Sequence, residues 1–489
     1  EQGIDGAAGN AKPMLQFPSP EQTAEKKALN ARIDQITTSL ENRKQESSAE
    51  LARWVAGRRE QPANSTEPRT PVDPILAIAD GQRTQQQQKQ LLDYFLENHD
   101  KPFQQLVARR TKVRKQRDAL DIKIPSTMVM QDLDRPRPTY ILERGLFDQH
   151  GEIVKPAVPS ALPPLPEGAP ANRLGLARWL TSPSHPLTAR VTVNRYWQML
   201  FGTGIVKTSE NFGAQGDLPS HPVLLDWLAS EFVENDWDVK AIMKRMVMSA
   251  TYRQSSITTP GMRLKDPENR LLARASRFRM PAELIRDNAM AISGLLVRKI
   301  GGPSVRPYQP EGLWADVSFG IKTYGAMVYQ QDHGEALYRR GMYTFWKRSC
   351  PPPSLLAFDA PEREICTVRR ERTNTPLQAL ALLNDPTYLE TARSFAQRIM
   401  KEGGSEGAER VRYAFRMATG RHPTESEQQV LMAEYHVRLA DYRQDMQAAL
   451  SLLDIGESSR DETLDVSQLA AWTMVARLIL NLDETITKA

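Results

Sequence analysis

Residues 372–386 are RTNTPLQALALLNDP, and this stretch decides the fold class of the chain. Thr375 followed by Pro376 predicts a helix start, because a hydroxyl residue is favoured at the cap and proline at the first helical position. The apolar run after Pro376 continues that helix, and Asp385-Pro386 interrupts it and begins it again. The stretch therefore predicts helix, a break, and further helix.

Similar helix signals recur from Asn172 to the end of the sequence, so residues 172–489 predict one mainly α domain, divisible near residues 330–400. Only residues 342–346 have the composition of a strand. No period repeats along the chain, which argues against a solenoid. The predicted helices cover residues 173–180 and 187–200, begin at Pro222, Asp238, Pro281 and Thr424, and close with residues 467–482.

Residues 21–122 predict a long N-terminal helical hairpin that follows a flexible N-terminus of residues 1–20. Within 21–59, which we expect to form one helix, Leu29, Ile33, Ile36 and Leu40 recur at spacings of four, three and four. Prolines between residues 62 and 74 break the chain. A second amphipathic stretch covers residues 85–120, where Pro102 kinks or divides the helix. A polar hairpin of this kind is typical of a stalk, a spacer or a dimerisation arm, so it is a candidate surface for oligomer formation.

Residues 123–171 differ from both neighbours. Two short runs, residues 127–130 and 139–142, have strand composition, and the remainder carries too many prolines for regular structure. We expect this segment to be an extended strap on the domain that follows. The expected fold class is therefore mainly α: a hairpin, a strap and a multi-helix globular domain with few short strands.

The composition is that of a soluble globular protein, with 40% apolar and 25% charged residues. A net charge of +5 over 489 residues gives no indication of a nucleic-acid partner. No apolar run is long enough for a transmembrane segment, and no signal peptide is visible at the start of the sequence as given. We therefore expect neither a nucleic-acid partner nor a membrane span.

The two cysteines, Cys350 and Cys366, limit the cofactor chemistry of this chain. No Cys-x-x-Cys-His motif is present for covalent haem attachment, and no histidine lies at ligand spacing beside either cysteine. The sequence predicts no metal and no cofactor in this chain, while a disulfide and two buried thiols both stay open. The phosphatase-like spacing from Cys366 to Arg372 lacks the glycines of a phosphate cradle, and the sulfatase-like stretch at Cys350 has Pro353 where a small residue is needed.

Arginines are concentrated between residues 338 and 384. Guanidinium groups bind sulfate, phosphate and carboxylate in a bidentate way, so this segment is a candidate anion site. The alternative is a set of Arg–Asp/Glu pairs that hold irregular loops in place. The candidate substrate-binding residues here are Arg369, Arg370, Arg372 and Asn374, and Asp359 is a candidate catalytic residue.

A second polar group lies between residues 185 and 221. Arg190 and Asn194 fall one turn apart on a predicted helix, and Arg195 follows them, so all three are candidates for substrate binding. A glycine-containing loop could bring Glu210, Asp217 and His221 toward that face. A carboxylate beside a histidine can do acid–base work, so these three are candidate catalytic residues. The alternative is that His221 caps a helix and Asp217 forms a turn.

Several longer motifs resemble one known family. They are NRLGLARWL at 172–180, VNRYW at 193–197, FGTGIV at 201–206, NFG at 211–213, SATYR at 249–253, FDAP at 358–361, Arg369-Arg370 and RTNTPLQALALLND at 372–385. They resemble the domain of unknown function that ends planctomycete cytochrome-c-associated proteins, and the resemblance covers residues from about 125 onward.

The resemblance implies a periplasmic or secreted protein. It also implies a c-type cytochrome domain or subunit as a partner, with haem c outside this chain, and a sulfatase-like protein as a second partner. It implies a link to polysaccharide use, but it brings no reaction. We weigh two functions: binding of, or action on, anionic sulfated carbohydrate through an arginine-rich cleft, and a non-catalytic scaffold that docks partners through the hairpin. The sequence leaves open whether the chain is an enzyme.

Overall fold

The computed structural model describes residues 13–60, 70–133, 137–317 and 328–488. The described chain is mainly α-helical, as the sequence predicts, with six short strands in three two-stranded sheets. It divides into two compact units, Glu1–Lys155 and Pro156–Ala489. The division falls inside the segment that we expected to be a strap. Pro62, Pro68 and residues 1–12 lie outside the described residues.

Among its described residues, the first unit contains five α-helices and four strands. The helices are α1 (Pro20–Glu46), α2 (Ser48–Arg59), α3 (Asp73–Leu76), α4 (Gln85–Asn98) and α5 (Lys101–Lys123). The strands are β1 (Met14–Gln16), β2 (Ser126–Met128), β3 (Thr139–Leu142) and β4 (His150–Val154).

The predicted hairpin is formed by α1 and α5, which pack against each other along their length. Ion pairs from Lys26 to Asp121 and from Arg43 to Asp100 show that the two helices run antiparallel. Their shared core contains the predicted stripe Ile33, Ile36 and Leu40 together with Phe95, Leu96, Phe103 and Val113. Apolar burial on one face of each helix therefore holds the hairpin together.

Two helix boundaries in this unit have clear local causes. Pro102 divides the second helical stretch as expected, because Asp100 accepts a hydrogen bond from the Phe103 N–H and caps α5. The single helix expected over 21–59 is wrong, since the helix breaks at the fully buried Ser47. The Ser47 hydroxyl donates to the carbonyl of Lys44, a back-bond that bends helices.

The short sheets involve both predicted strand segments. Strand β2 pairs antiparallel with β1, which lies inside the segment predicted to be flexible. Strands β3 and β4 form a hairpin of their own, with an irregular register between Tyr140 and Leu142.

The second unit contains sixteen helices among the described residues. They are α6 (Arg173–Leu180), α7 (Thr188–Phe201), α8 (Pro222–Glu234), α9 (Val239–Met248), α10 (Ala250–Arg253), α11 (Pro260–Lys265), α12 (Ala282–Ser293), α13 (Leu313–Asp316), α14 (Pro353–Leu356), α15 (Pro376–Asn384), α16 (Pro386–Glu402), α17 (Gly407–Thr419), α18 (Glu425–Gln444), α19 (Met446–Leu453), α20 (Val466–Leu480) and α21 (Asp483–Ile486).

This unit has two hydrophobic cores. The smaller core joins α7, α8 and α9 around Trp197, Phe201 and Phe232. The larger core joins α12 and α16–α20 around Phe395, Phe415 and Trp472. The helix α20 is buried along most of its length, so it forms the centre of the larger core.

Two strands connect distant parts of this unit. Strand β5 (Phe278–Arg279) pairs antiparallel with β6 (Thr487–Lys488). The strand predicted at 342–346 is wrong: Gly341–Tyr343 form a 3-10 turn, and Thr344 makes only an isolated bridge to Val305. Gly341 packs closely on α12, where an added Cβ would lie 3.1 Å from the Glu283 Cα, so this segment lies against a helix.

Candidate functional site

A cavity of about 900 Å³ opens in the second unit, beside α7, α12 and the loop of residues 358–372. This volume lies in the range of small-molecule sites. We call this cavity the cleft. Its lining residues are Arg195, Gln198, Met199, Leu200, Tyr252, Phe278, Arg279, Met280, Pro281, Glu283, Leu284, Phe358, Asp359, Pro361, Arg363, Glu364, Ile365, Cys366, Thr367, Val368, Arg370, Glu371, Arg372 and Lys488.

The loop after α7 is fixed by Asn194. Its side-chain amide donates to the carbonyl of Val206 at 3.0 Å and to the Ser209 hydroxyl at 3.1 Å, and it accepts from the Val206 N–H at 2.8 Å. Gly204 lies directly on this amide, where a Cβ would come within 2.6 Å of Asn194 Nδ2. The residues of the FGTGIV motif are therefore required by packing.

Gly202 shapes the cleft itself. Its φ of +84° ends α7 in a conformation that side-chain-bearing residues rarely adopt, and a Cβ here would lie 2.8 Å from the Phe278 ring. The glycine thus lets the end of α7 approach the aromatic ring of β5.

The loop of residues 358–372 begins at a clamp around Asp359, which has a φ of +61°. Its carboxylate accepts hydrogen bonds from the Thr373 N–H at 2.8 Å, from the Thr373 hydroxyl at 2.9 Å and from Arg279. Arg279 also donates to the carbonyls of Phe358 and Thr373. Asp359 therefore closes the loop at its base, and its hydrogen-bonding capacity is largely used there.

A second ion pair joins this loop to α12. Arg370 donates two hydrogen bonds to the Glu283 carboxylate, at 2.6 and 3.1 Å. Burial acts to raise the pKa of Glu283, but the hydrogen bonds and the charge of Arg370 outweigh burial and hold that pKa below its ordinary value. The carboxylate is therefore ionised in the folded chain, and Arg370 is neutralised.

Arg372 and Lys488 stand apart from these pairs. Both lie over the Phe278 ring, with the Arg372 guanidinium carbon 4.4 Å and the Lys488 amino nitrogen 5.7 Å from the ring centroid. The Lys488 amino group also lies 4.1 Å from the centroid of Tyr252. Arg372 donates to the carbonyl of Gly202 at 3.0 Å. Among the described residues, neither cation has an ion pair with an acidic side chain.

The surroundings disfavour both positive charges. Partial burial of Arg372, together with the nearby charge of Arg279, holds the pKa of Arg372 below its ordinary value, although much of this side chain stays exposed. Burial alone lowers the pKa of Lys488. Arg195, also exposed and on the cleft, makes no hydrogen bond or ion pair within the described part of the chain. Arg363 also lines the cleft, lies over the Trp346 ring and has no ion pair in the described part of the chain. The cleft thus contains four cations that an anion would stabilise.

Four of the predicted site residues meet at the cleft, namely Arg195, Asp359, Arg370 and Arg372. The two sequence segments that carry them, around residues 195 and 370, therefore do come together. They do so with six basic and four acidic side chains on the lining, interspersed with many apolar ones.

The other predicted residues lie elsewhere. Asn194 is fully buried and holds the α7 loop, so a role in ligand contact does not fit its position. Arg190 pairs with Asp226 at 2.7 Å. Arg369 and Asn374 are exposed beside the cleft without lining it.

The predicted acid–base group is not assembled. His221 begins α8 and its ring contacts the Ser220 hydroxyl, while Glu210 and Asp217 are exposed on the preceding loop. No hydrogen bond joins any two of these three side chains within the described residues. Their positions match the helix-cap and turn alternatives.

Sequence reasoning missed Phe278, Arg279, Glu283 and Lys488. Tyr252 belongs to the SATYR motif and could have been included on that signal. Lys488 comes to the cleft only because β6 pairs with β5 across more than 200 residues. No local sequence pattern predicts a strand pairing over such a distance.

Both cysteines are free, with Cys350 buried and Cys366 exposed on the cleft. The alternatives of a disulfide and of two buried thiols are therefore both wrong. No cluster of three or more histidine, cysteine or acidic side chains able to hold a metal occurs within the described residues. No described helix is long and apolar enough to cross a membrane.

A second cavity, of about 500 Å³, lies beside α16 and α19. Of its lining residues, Arg393 donates to the carbonyl and hydroxyl of Ser458 and to the carbonyl of Leu453. These contacts hold a loop onto α16, which gives them a structural explanation. The cleft is therefore the better candidate site.

Comparisons with known proteins give one match. Residues 172–435, more than half of the chain, match the family described as PSD1, protein of unknown function (DUF1553). No curated protein and no solved structure matches the chain. The matched range contains every lining residue of the cleft except Lys488. The chain therefore belongs to the PSD1 (DUF1553) family of proteins of unknown function.

Proposed function

We propose that this chain binds an anionic ligand in the cleft, and that the ligand is a sulfated or carboxylated carbohydrate. The observation that carries the proposal is the pair Arg372 and Lys488, two cations over one Phe278 ring without an acidic partner among the described residues. Partial burial disfavours both charges and Arg279 repels Arg372, and a bound sulfate or carboxylate would offset these costs.

The aromatic ring makes this arrangement tolerable without a ligand. A cation within about 6 Å of a ring centroid gains roughly 0.5–2 kcal/mol from the ring. That gain holds Arg372 and Lys488 in place but leaves their N–H donors available. Preformed donors lose less conformational entropy on binding, which favours anion recognition here.

The neighbouring ion pairs restrict where the anion can bind. Arg279 and Arg370 already pair with Asp359 and Glu283. The cleft cations without an acidic partner are therefore Arg372 and Lys488 at Phe278, together with Arg195 and Arg363. Two of the four cleft carboxylates, Asp359 and Glu283, already accept hydrogen bonds from arginines, and the proposal therefore assigns binding and no reaction.

The resemblance to cytochrome-c-associated proteins supports the wider setting. We propose an exported component of a c-type-cytochrome-linked system, with haem c on another domain or subunit and a sulfatase-like protein as a further partner. A sulfatase-like partner and a sulfate-binding cleft would act on the same class of carbohydrate.

The test compares dextran sulfate with unsulfated dextran as probes. We expect the chain to bind dextran sulfate only, and Arg372→Ala or Lys488→Ala to weaken that binding about tenfold or more. The melting temperatures of both variants should stay close to that of the wild type. Arg298→Ala, an exposed arginine away from the cleft, is the matched control and should change neither property. The proposal would be refuted if the chain bound both dextrans equally, or if Arg298→Ala weakened the binding of dextran sulfate as much as Arg372→Ala or Lys488→Ala does.

A second candidate function is partner docking through the helical hairpin. Helix α5 carries eight basic residues and two acidic ones, an excess that would suit an acidic partner surface. Changing Lys112→Glu together with Lys115→Glu should then abolish co-purification of a partner from the native source. The matched pair Lys240→Glu and Lys244→Glu on α9 should not. Retention of the partner by both variants would rule out this function for α5.

A further inference from the structure

Four lining residues of the cleft are apolar and exposed, and we call them the apolar wall. Met199 and Ile365 are 63% and 81% exposed, and Leu284 and Val368 line the same cavity with more than a third of their surfaces exposed. Single apolar residues on a protein surface are ordinary, but a cluster around one cavity marks a binding surface. A purely polar glycan would leave this wall in contact with water or with hydroxyl groups.

The lining residues around Phe278 are positively charged. There Arg372 and Lys488 supply positive charge, and the Tyr252 and Phe278 rings surround the amino group of Lys488. The cleft lining therefore combines cations without an acidic partner with exposed aliphatic side chains. A ligand that matches both features must itself be amphipathic.

We propose that the ligand is an amphipathic anion: a sulfated or carboxylated carbohydrate that carries an alkyl or acyl group beside its charge. The anion binds between Arg372 and Lys488, and the apolar group covers Met199, Leu284, Ile365 and Val368. This inference rests on the proposed function and narrows its ligand class. A cavity of about 900 Å³ has room for a mono- or disaccharide with a short acyl chain.

The experiment uses the full chain and a series of probes: ethyl, butyl and hexyl sulfate below their micellar concentrations, with hexyl glucoside as the uncharged counterpart and dextran sulfate as the polar one. Calorimetric titration should show affinity rising by up to about fourfold for each methylene that becomes buried. Hexyl glucoside should bind at least tenfold more weakly than hexyl sulfate. Circular dichroism must show unchanged helix content in every titration.

Variants separate the contribution of the apolar side chains to binding from that of the cations. Met199→Ser combined with Ile365→Ser should flatten the dependence on chain length, and neither substitution disturbs a core because both side chains are largely exposed. Ile300→Ser, at a side chain that is 88% exposed outside the cleft, should leave the dependence intact. Arg372→Ala should weaken binding of all three alkyl sulfates by a similar factor.

The outcomes distinguish this inference from the proposed function. A flat alkyl series with tight binding of dextran sulfate would overturn the amphipathic ligand and leave anion binding standing. A chain-length dependence that survives Met199→Ser with Ile365→Ser would also overturn it, because the apolar contact would then lie elsewhere. No binding of any sulfate would overturn both.

Discussion

Arg370 and Arg372 are two residues apart, but their surroundings give them different roles. Arg370 is paired with a mostly buried carboxylate, whereas Arg372 contacts only a carbonyl and an aromatic ring. We predict that Arg370→Ala lowers the free energy of unfolding by about 1–3 kcal/mol, because Glu283 loses its partner. Arg372→Ala should cost less than about 1 kcal/mol. Urea denaturation measures both.

A double-mutant cycle supplies the control for that prediction. The double variant Arg370→Ala with Glu283→Ala should lose about 1 kcal/mol less free energy of unfolding than the two single variants lose in sum. Two results would contradict this prediction: additive losses of unfolding free energy in the cycle, or an Arg372→Ala variant as destabilised as Arg370→Ala. Either would show that Arg370 is not the structural residue and Arg372 the binding residue.

Single residues also show the reach of sequence reasoning. The sequence named Arg195, Arg370 and Arg372 as candidate binding residues in two separate segments, because long motifs carried them, and all three line the cleft. It marked Asn194 for the same reason, although this amide is used entirely to hold a loop. A motif indicates that a residue matters, but only packing shows whether it contacts ligand or backbone.

At the scale of elements, the start of α18 offers a test by pH. Thr424, the predicted start of this helix, forms a capping box with Glu427, and Glu427 also accepts from Arg421, which lowers the pKa of Glu427 to about 2. A carboxyl whose folded pKa lies below its unfolded value stabilises the fold above the unfolded pKa of about 4.3. That contribution is lost as the pH falls from about 5 toward 2.

We predict that Glu427→Gln removes about 1 kcal/mol of unfolding free energy at neutral pH, after allowance for partial exposure and screening. The difference from the wild type should shrink as the pH falls toward 2. Glu425→Gln, an exposed neighbour in the same helix, should show no such pH-dependent difference. Chemical denaturation at several pH values measures this, and a constant difference across the range would contradict the assignment.

Elements were predictable where their signals are local. Proline and capping residues correctly placed the starts of α5, α8, α9, α15 and α16. The break at Ser47 was missed although its hydrogen bond to Lys44 is local, because a serine inside a helical pattern is also compatible with an unbroken helix. The 3-10 turn at Gly341–Tyr343 was missed because this segment packs on the distant helix α12. The pairing of β5 with β6 was missed for the same reason.

At the scale of the whole molecule, the two compact units have separate hydrophobic cores. We predict two calorimetric transitions rather than one, since each core can be lost without the other. Leu96 is fully buried in the first unit, and Leu96→Ala should lower the free energy of unfolding of that unit by about 2–5 kcal/mol. Phe395→Ala should lower the free energy of unfolding of the second unit by a similar amount. A single transition that both variants shift equally would show that the units unfold together.

The order in which a ribosome makes this chain has a consequence for the cleft. Phe278 and Arg279 leave the ribosome about 200 residues before Thr487 and Lys488, their partners in the β5–β6 pair. Until residue 488 is released, the ring of Phe278 has only one of its two cations, and one lining residue is missing. A nascent chain can therefore fold its α7–α9 core early while its binding site stays unfinished. Ligand recognition would then begin only in chains that extend past Lys488, so products truncated before Lys488 should fail to compete for ligand.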